Sequence, residues 1–160
     1  MSRAPGAALR RDVVERAGGH CEYCGVPDGM DLVPHEVDHI IAVKHGGETT
    51  AENLALACYL CNKHKGTDLA SVDPASGSVT LIFHPRRDVW AAHFEIEEGR
   101  FIGRTPCGRA TIRLLRLNRE DRLAERSVLA QAGLLRFPSS PPPSSSPRAP
   151  DVGAPPTKFQ

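Results

Sequence analysis

Four cysteines stand in two Cys-x-x-Cys pairs, Cys21 and Cys24 in "CEYC" and Cys58 and Cys61 in "CYLC", separated by 33 residues. Two such turns present four thiolates, the donor set of a tetrahedral structural zinc, whose closed shell leaves no position for chemistry. A redox role would favour one pair at a helix N-terminus, not two flanking a polar insert. That insert overlaps "HEVDHIIAVKHGGETTAENLALACYLCNKHK", His35 to Lys65, which holds His35, His39, His45 and His64 together with Asp38, Asn53 and Asn62. Few of these groups suit a hydrophobic core. Histidine is a fit general base near neutral pH, and Asp and Asn oxygens suit a hard cation such as Mg²⁺.

The elements that must position these residues follow from spacing. In "AALRRDVVERAGG", Leu9, Val13 and Val14 share a helical face and Gly18 and Gly19 stop the helix. A tight Cys turn and a turn-rich link lead to an extended run ending near His39. "HGG" makes a turn, Thr49 or Thr50 caps a short helix carrying Asn53, and a second helix runs from near Cys61 to about Leu69. The pattern then changes. Val79, Leu81 and Phe83 alternate as in a strand, and "HFEIEEGRFIGRT" reads as a hairpin. Thr105 and Pro106 open a further helix with the apolar stripe Ala110, Ile112, Leu114, Leu115 and Leu117, and another helix spans about 119–132.

Composition is that of an ordinary globular chain. No run of about 18 apolar residues exists and the N-terminus lacks the apolar core of a signal peptide, so a cytoplasmic protein is the default, where paired cysteines bind metal more often than they form disulfides. Charge is unevenly spread. From Arg100 to Arg136 there are nine arginines and three acids, a net of +6 over 37 residues, whereas Cys21 to Gly99 is acidic. Arg109, Arg113 and Arg116, at i, i+4 and i+7, share a helical face suited to successive phosphates, and Lys65 is a further phosphate candidate. The fifth cysteine, Cys107, is an unpaired thiol in the first turn of its helix.

The pieces "CEYC", "EVDHIIAVKHGGETTAENLALAC" and "CYLCNKHKG", from Gly19 to Leu69, together resemble the HNH endonucleases, the ββα-metal or His-Me finger nucleases, in their zinc-knuckle variety. The resemblance implies a ββα-metal core with a four-Cys zinc site, and with the small antiparallel sheet and two C-terminal helices read from the pattern that follows it, the expected fold is α+β. The resemblance also implies that His39 is the general base, that the Asn53 side-chain carbonyl holds the His39 ring, and that Asp38 and Asn62 bind one divalent cation, Mg²⁺ or Mn²⁺. Glu36 sits where relatives carry a second acid. Asn62 lies nine positions after Asn53, the family's spacing to the metal ligand, so Asn62 is preferred to His64, which should point away around the helix. Adjacent strand residues point to opposite faces, so Asp38 and His39 predict a break or bulge. His35 suits a strand edge. His20 is an alternative zinc ligand, and His84 and His93 suit solvated or structural roles.

The implied activity is hydrolysis of DNA phosphodiesters to 5′-phosphate and 3′-hydroxyl ends. Nicking needs one chain, whereas double-strand cleavage needs a homodimer or two visits. The competing readings are a zinc-stabilised nucleic-acid-binding module without catalysis and an RNA-directed nuclease. The expected organisation is an N-terminal helix (1–18), the HNH core with its knuckles (19–70), a basic strand–hairpin–helix–helix extension (71–136) and a disordered Pro/Ser-rich tail (137–160).

Overall fold

The computed structural model describes residues 4–30 and 32–138; most of the Pro/Ser-rich tail therefore lies outside the described residues. Helix α1 (Ala7–Ala17) ends at Gly18, whose φ of 59° is the left-handed conformation a glycine reaches without cost. Its inner face, Leu9, Val13 and Ala17, packs on Val37, Leu54 and Leu56. These last three belong to an antiparallel pair, β1 (Glu36–His39) and β2 (Leu54–Ala57), in the register Glu36↔Ala57 to His39↔Leu54. Helix α2 (Tyr59–Lys65) follows β2 directly, capped by Cys58, so it starts and stops earlier than the predicted 61–69. The predicted bulge is not there either: pairing is regular through His39, and the chain bends only after it. Asn53 sits on a 3₁₀ turn (Ala51–Asn53) preceded by Thr50, which makes no side-chain cap bond.

The second half is built from small pieces. Strands β3 (Ala70–Val72) and β4 (Val79–Leu81) form a hairpin, of which the sequence pattern marks only the second strand. A one-turn helix α3 (Trp90–His93) then leads into the hairpin β5 (Phe94–Glu97) and β6 (Arg100–Gly103). Helix α4 (Pro106–Leu114) is capped by the Thr105 hydroxyl, which accepts from Gly108 N–H. It ends at Leu114, and Arg116 has left the helix with φ 49°. The three arginines predicted to line one helical face therefore do not. Helix α5 (Glu120–Gln131) completes the fold. Mixed helices and two-stranded antiparallel sheets make this an α+β protein, as expected.

One core joins the two halves. Cys21, Cys24, Cys58 and Cys61 are buried in the same cluster as Phe83, Phe94, Phe101, Leu115, Leu117 and Leu129. Phe137, grouped with the tail on composition, stacks on Trp90 with ring centroids 4.0 Å apart, so the ordered chain extends past the boundary drawn at 137. Among the described residues no helix is long and apolar enough to cross a membrane.

Close packing also fixes α4. A Cβ at Gly108 would overlap the His93 carbonyl oxygen. Gly108→Ala should destabilise the protein by about 1–3 kcal/mol, the usual cost of overpacking; thermal melts of the two proteins at equal zinc content read this directly.

Candidate functional site

The cysteine centre is built from both knuckles. Cys24 and Cys58 Sγ lie 3.6 Å apart, and all four Sγ atoms lie within 4.8 Å of one another. Four sulfurs around one zinc at about 2.3 Å would be about 3.8 Å apart, so the donor set and its spacing fit the ion. Cys58 Sγ also accepts from Cys61 N–H. A four-thiolate zinc carries two net negative charges, and the fold supplies a counter-charge. Arg122 of α5, 3% exposed, reaches in to place Nη2 3.0 Å from Cys61 Sγ and 3.8 Å from Cys58 Sγ, while Nη1 donates to Leu115 O at 2.7 Å. Burial works against the guanidinium charge, but Cys61, Cys24 and Cys58 more than offset it, and its pKa is raised.

Glu22, between the first two cysteines, ties this centre to the sheet. Its backbone N–H donates to Leu56 O and its carboxylate accepts from Leu56 N–H at 2.9 Å, which closes the open edge of β2. Arg86 pairs with the same carboxylate. His20, weighed as an alternative ligand, has both ring nitrogens on backbone carbonyls, those of Gly18 and Leu134. His35 is buried with Nε2 3.0 Å from Val26 O, bracing the first knuckle against β1.

The polar insert occupies two faces of β1. Glu36 and Asp38 share one face, and Val37 and His39 the other, because successive strand residues alternate. On the first face Asn62 of α2 donates through Nδ2 to Glu36 Oε2 at 2.7 Å, leaving its Oδ1 as the oxygen for a cation. Glu36 and Asn62 thus meet across the strand–helix seam, and Asp38 lies two residues further along the same face of β1. On the second face His39 Nε2 lies 2.9 Å from Thr49 Oγ1. Thr49, not Asn53, is the ring's partner.

Asn53 does something else. Its Oδ1 accepts from Ile41 N–H, and its Nδ2 donates to Ile41 O and Glu48 O, each at 2.8–2.9 Å. It therefore clamps the loop that brings Thr49 back to His39. Gly47 is required beside this clamp, because a Cβ there would overlap Ile41 O. Sequence reasoning misses Thr49 because a hydroxyl ten residues from the histidine has no distinguishing spacing signal.

Several basic residues are occupied elsewhere. Lys65, expected at phosphate, is 2% exposed, with Nζ 3.4 Å from both His39 O and Gly66 O. Burial lowers its pKa, against the opposing pull of Asp38 and Asp68. Arg109 forms a two-pronged pair with the buried Asp73 at 2.8 and 2.9 Å, which holds that carboxyl well below the usual range. Arg122 and Arg126 are interior; Arg126 lies over the Phe101 ring and donates to Gly99 O. Arg104 pairs with Glu95, and Arg119 with Asp121. Arg113 and Arg116 remain exposed, as does Lys63 on α2. His64 is half-buried, and its pKa is lowered by burial and then by the nearby charges of Arg116, Arg122 and Arg119.

Residues 21–68 match the family model described as HNH endonuclease. No curated protein and no solved structure matches the chain. The matched segment spans both knuckles, β1, β2 and α2, so the similarity to HNH endonucleases lies in this segment, which also holds the four-cysteine cluster able to bind a metal ion.

Arg122→Met keeps the side chain's bulk and removes the charge. Zinc affinity, read by chelator competition, should fall about 10- to 100-fold, the range for changes in the groups that support metal ligands. Cys58→Ser should lose the zinc, about one ion per chain in the parent, together with the near-ultraviolet circular dichroism of the packed core.

Proposed function

We propose that the HNH domain hydrolyses DNA phosphodiester bonds with a divalent cation, leaving 5′-phosphate and 3′-hydroxyl ends. The observation that carries this reading is the Asn62–Glu36 bond, which sets an amide of α2 against the carboxylate face of β1, the strand that ends at a histidine held by its own hydroxyl partner. In the tautomer whose Nε2–H donates to Thr49, Nδ1 of His39 carries the lone pair that takes a proton from the attacking water. Thr49 orients the ring without adding charge, its hydroxyl being able to serve either tautomer. Asp38 and Asn62 would hold the cation, with Glu36 beside them. When bound, Mg²⁺ or Mn²⁺ neutralises phosphate charge and stabilises the 3′ leaving oxygen. Lys65 donates to the His39 carbonyl where β1 ends. Approach of the polyanion is favoured by the exposed cations Lys63, Arg113 and Arg116.

A non-catalytic nucleic-acid-binding module is the second reading. What favours it is the regular strand, which sends Asp38 and His39 to opposite faces. Supercoiled plasmid separates the two. Nicking by the purified chain should require Mg²⁺ or Mn²⁺, stop with EDTA and be lost in His39→Ala; unchanged nicking by His39→Ala would remove the assigned base. Thr49→Val should lower the nicking rate about tenfold or more while leaving DNA affinity unchanged.

The basic surface has its own test. Arg113→Glu with Arg116→Glu should weaken binding to duplex DNA and reduce the slope of log affinity against log salt by about 2, one unit for each phosphate that is no longer neutralised. Fluorescence anisotropy between 50 and 200 mM salt, roughly the range over which this dependence is steep, makes the measurement. An unchanged slope rules these two arginines out as phosphate ligands.

A further inference from the structure

A cavity of about 460 Å³ opens behind the HNH domain, between the bend that follows β1, the segment after β4 and the start of α4. Its walls include Ile40, Ile41 and Phe83, and it is the polar members that stand out. Asp88, one ring nitrogen of His93 and Cys107 Sγ converge there, their ligand atoms all within 4.8 Å of one another. The three come from separate elements: the turn before α3, the end of α3 and the first turn of α4.

Two of the three are held by outer bonds. His93 Nδ1 lies 2.6 Å from Thr105 Oγ1, the hydroxyl that caps α4 by accepting from Gly108 N–H. Asp88 Oδ2 accepts from His84 N–H at 2.8 Å, which leaves its second oxygen for another partner. A histidine oriented through one nitrogen and a carboxylate oriented through one oxygen are how proteins fix metal ligands. None of this is needed by the hydrolytic site on β1, and none of it belongs to the four-cysteine centre.

We propose that Asp88, His93 and Cys107 form a second metal site, taking a borderline-soft divalent cation of the Zn²⁺ type. Thiolate selects against Mg²⁺ and Ca²⁺, and imidazole with carboxylate suits zinc and its neighbours. One thiolate, one carboxylate and a neutral imidazole balance a divalent charge, unlike the four-thiolate centre, which needs Arg122. Three protein ligands leave a fourth position open, and here that position faces a cavity with room for water or a small anionic ligand, where Arg87 also lines the wall. The site is thus of the open kind, where the cysteine centre is closed. It stands whether or not the HNH domain cleaves DNA.

The test uses the full chain carrying its structural zinc under reducing conditions, titrated with Co²⁺ and followed by thiolate-to-Co²⁺ absorption. One Co²⁺ per chain should bind beyond the zinc, with the intensity of a single thiolate. Cys107→Ala keeps all four knuckle cysteines and should abolish the band. Asp88→Asn keeps an acceptor for His84 N–H and should weaken Co²⁺ about tenfold or more, at least what an outer-shell change costs. Absence of a thiolate band in the parent overturns the proposal, as does a band that survives Cys107→Ala, which would mean exchange into the four-cysteine centre. Co²⁺ bound at Asp38 and Asn62 meets only oxygen and gives no such band, so the outcome is independent of the nuclease reading.

Discussion

Four sulfurs brought within 4.8 Å of one another in a dry core cannot keep their charge without an answer to it. A zinc ion at this centre would answer half, and Arg122 supplies another charge from 61 residues away, through a 3.0 Å bond to Cys61 Sγ. That long reach organises the molecule. To deliver a guanidinium there, α5 must lie against the knuckles, which brings Leu129 into the core with Leu115, Leu117 and the aromatic cluster of the β5–β6 hairpin. Glu22 works from the other side, using backbone and carboxylate to seal β2 at Leu56. The β1–β2 pair is therefore held by α1 on one side and by the metal centre's own loop along its edge. Asp38 and His39, two of the residues proposed for hydrolysis, sit on this braced pair.

Local chemistry is legible in the sequence where it is written locally. The Cys-x-x-Cys spacing, the Thr105–Pro106 helix start and the glycine stop after α1 each depend on neighbours within a turn, and each is found in place. What depends on distant partners is not legible. Nine arginines between 100 and 136 suggest a polyanion surface. Three-dimensional pairing draws several of them inside, onto Asp73, cysteine sulfurs and backbone carbonyls. Nothing in the helical period of Arg109 marks a partner 36 residues earlier. Lys65 misleads for the same reason, since its position after Asn62 suggests phosphate whereas its Nζ serves the end of β1.

The exchange of Asn53 for Thr49 as the partner of His39 shows another limit. Two polar side chains on one loop can each reach a neighbouring ring, and sequence spacing does not say which will. The backbone decides. Asn53 is taken up entirely by satisfying the N–H and C=O of Ile41 and the C=O of Glu48, groups that would otherwise be left without partners in the turn. Thr49 is then delivered to the imidazole by the loop that Asn53 closes. The unforeseen strand β3 is of the same type, a three-residue run whose identity comes from pairing with Val79–Leu81 and not from any pattern of its own.

The position of Arg122 bears on how this domain is inherited. The HNH segment ends at residue 68, yet the cation that faces its sulfurs belongs to a helix that begins at Glu120. A segment cut at its own sequence borders would carry its metal ligands into a new protein and leave their counter-charge behind. Exchange between proteins would thus favour transfer of the whole chain from α1 to α5, or demand that a recipient already present a buried cation at the same spot. Modularity in sequence and modularity in charge have different borders here.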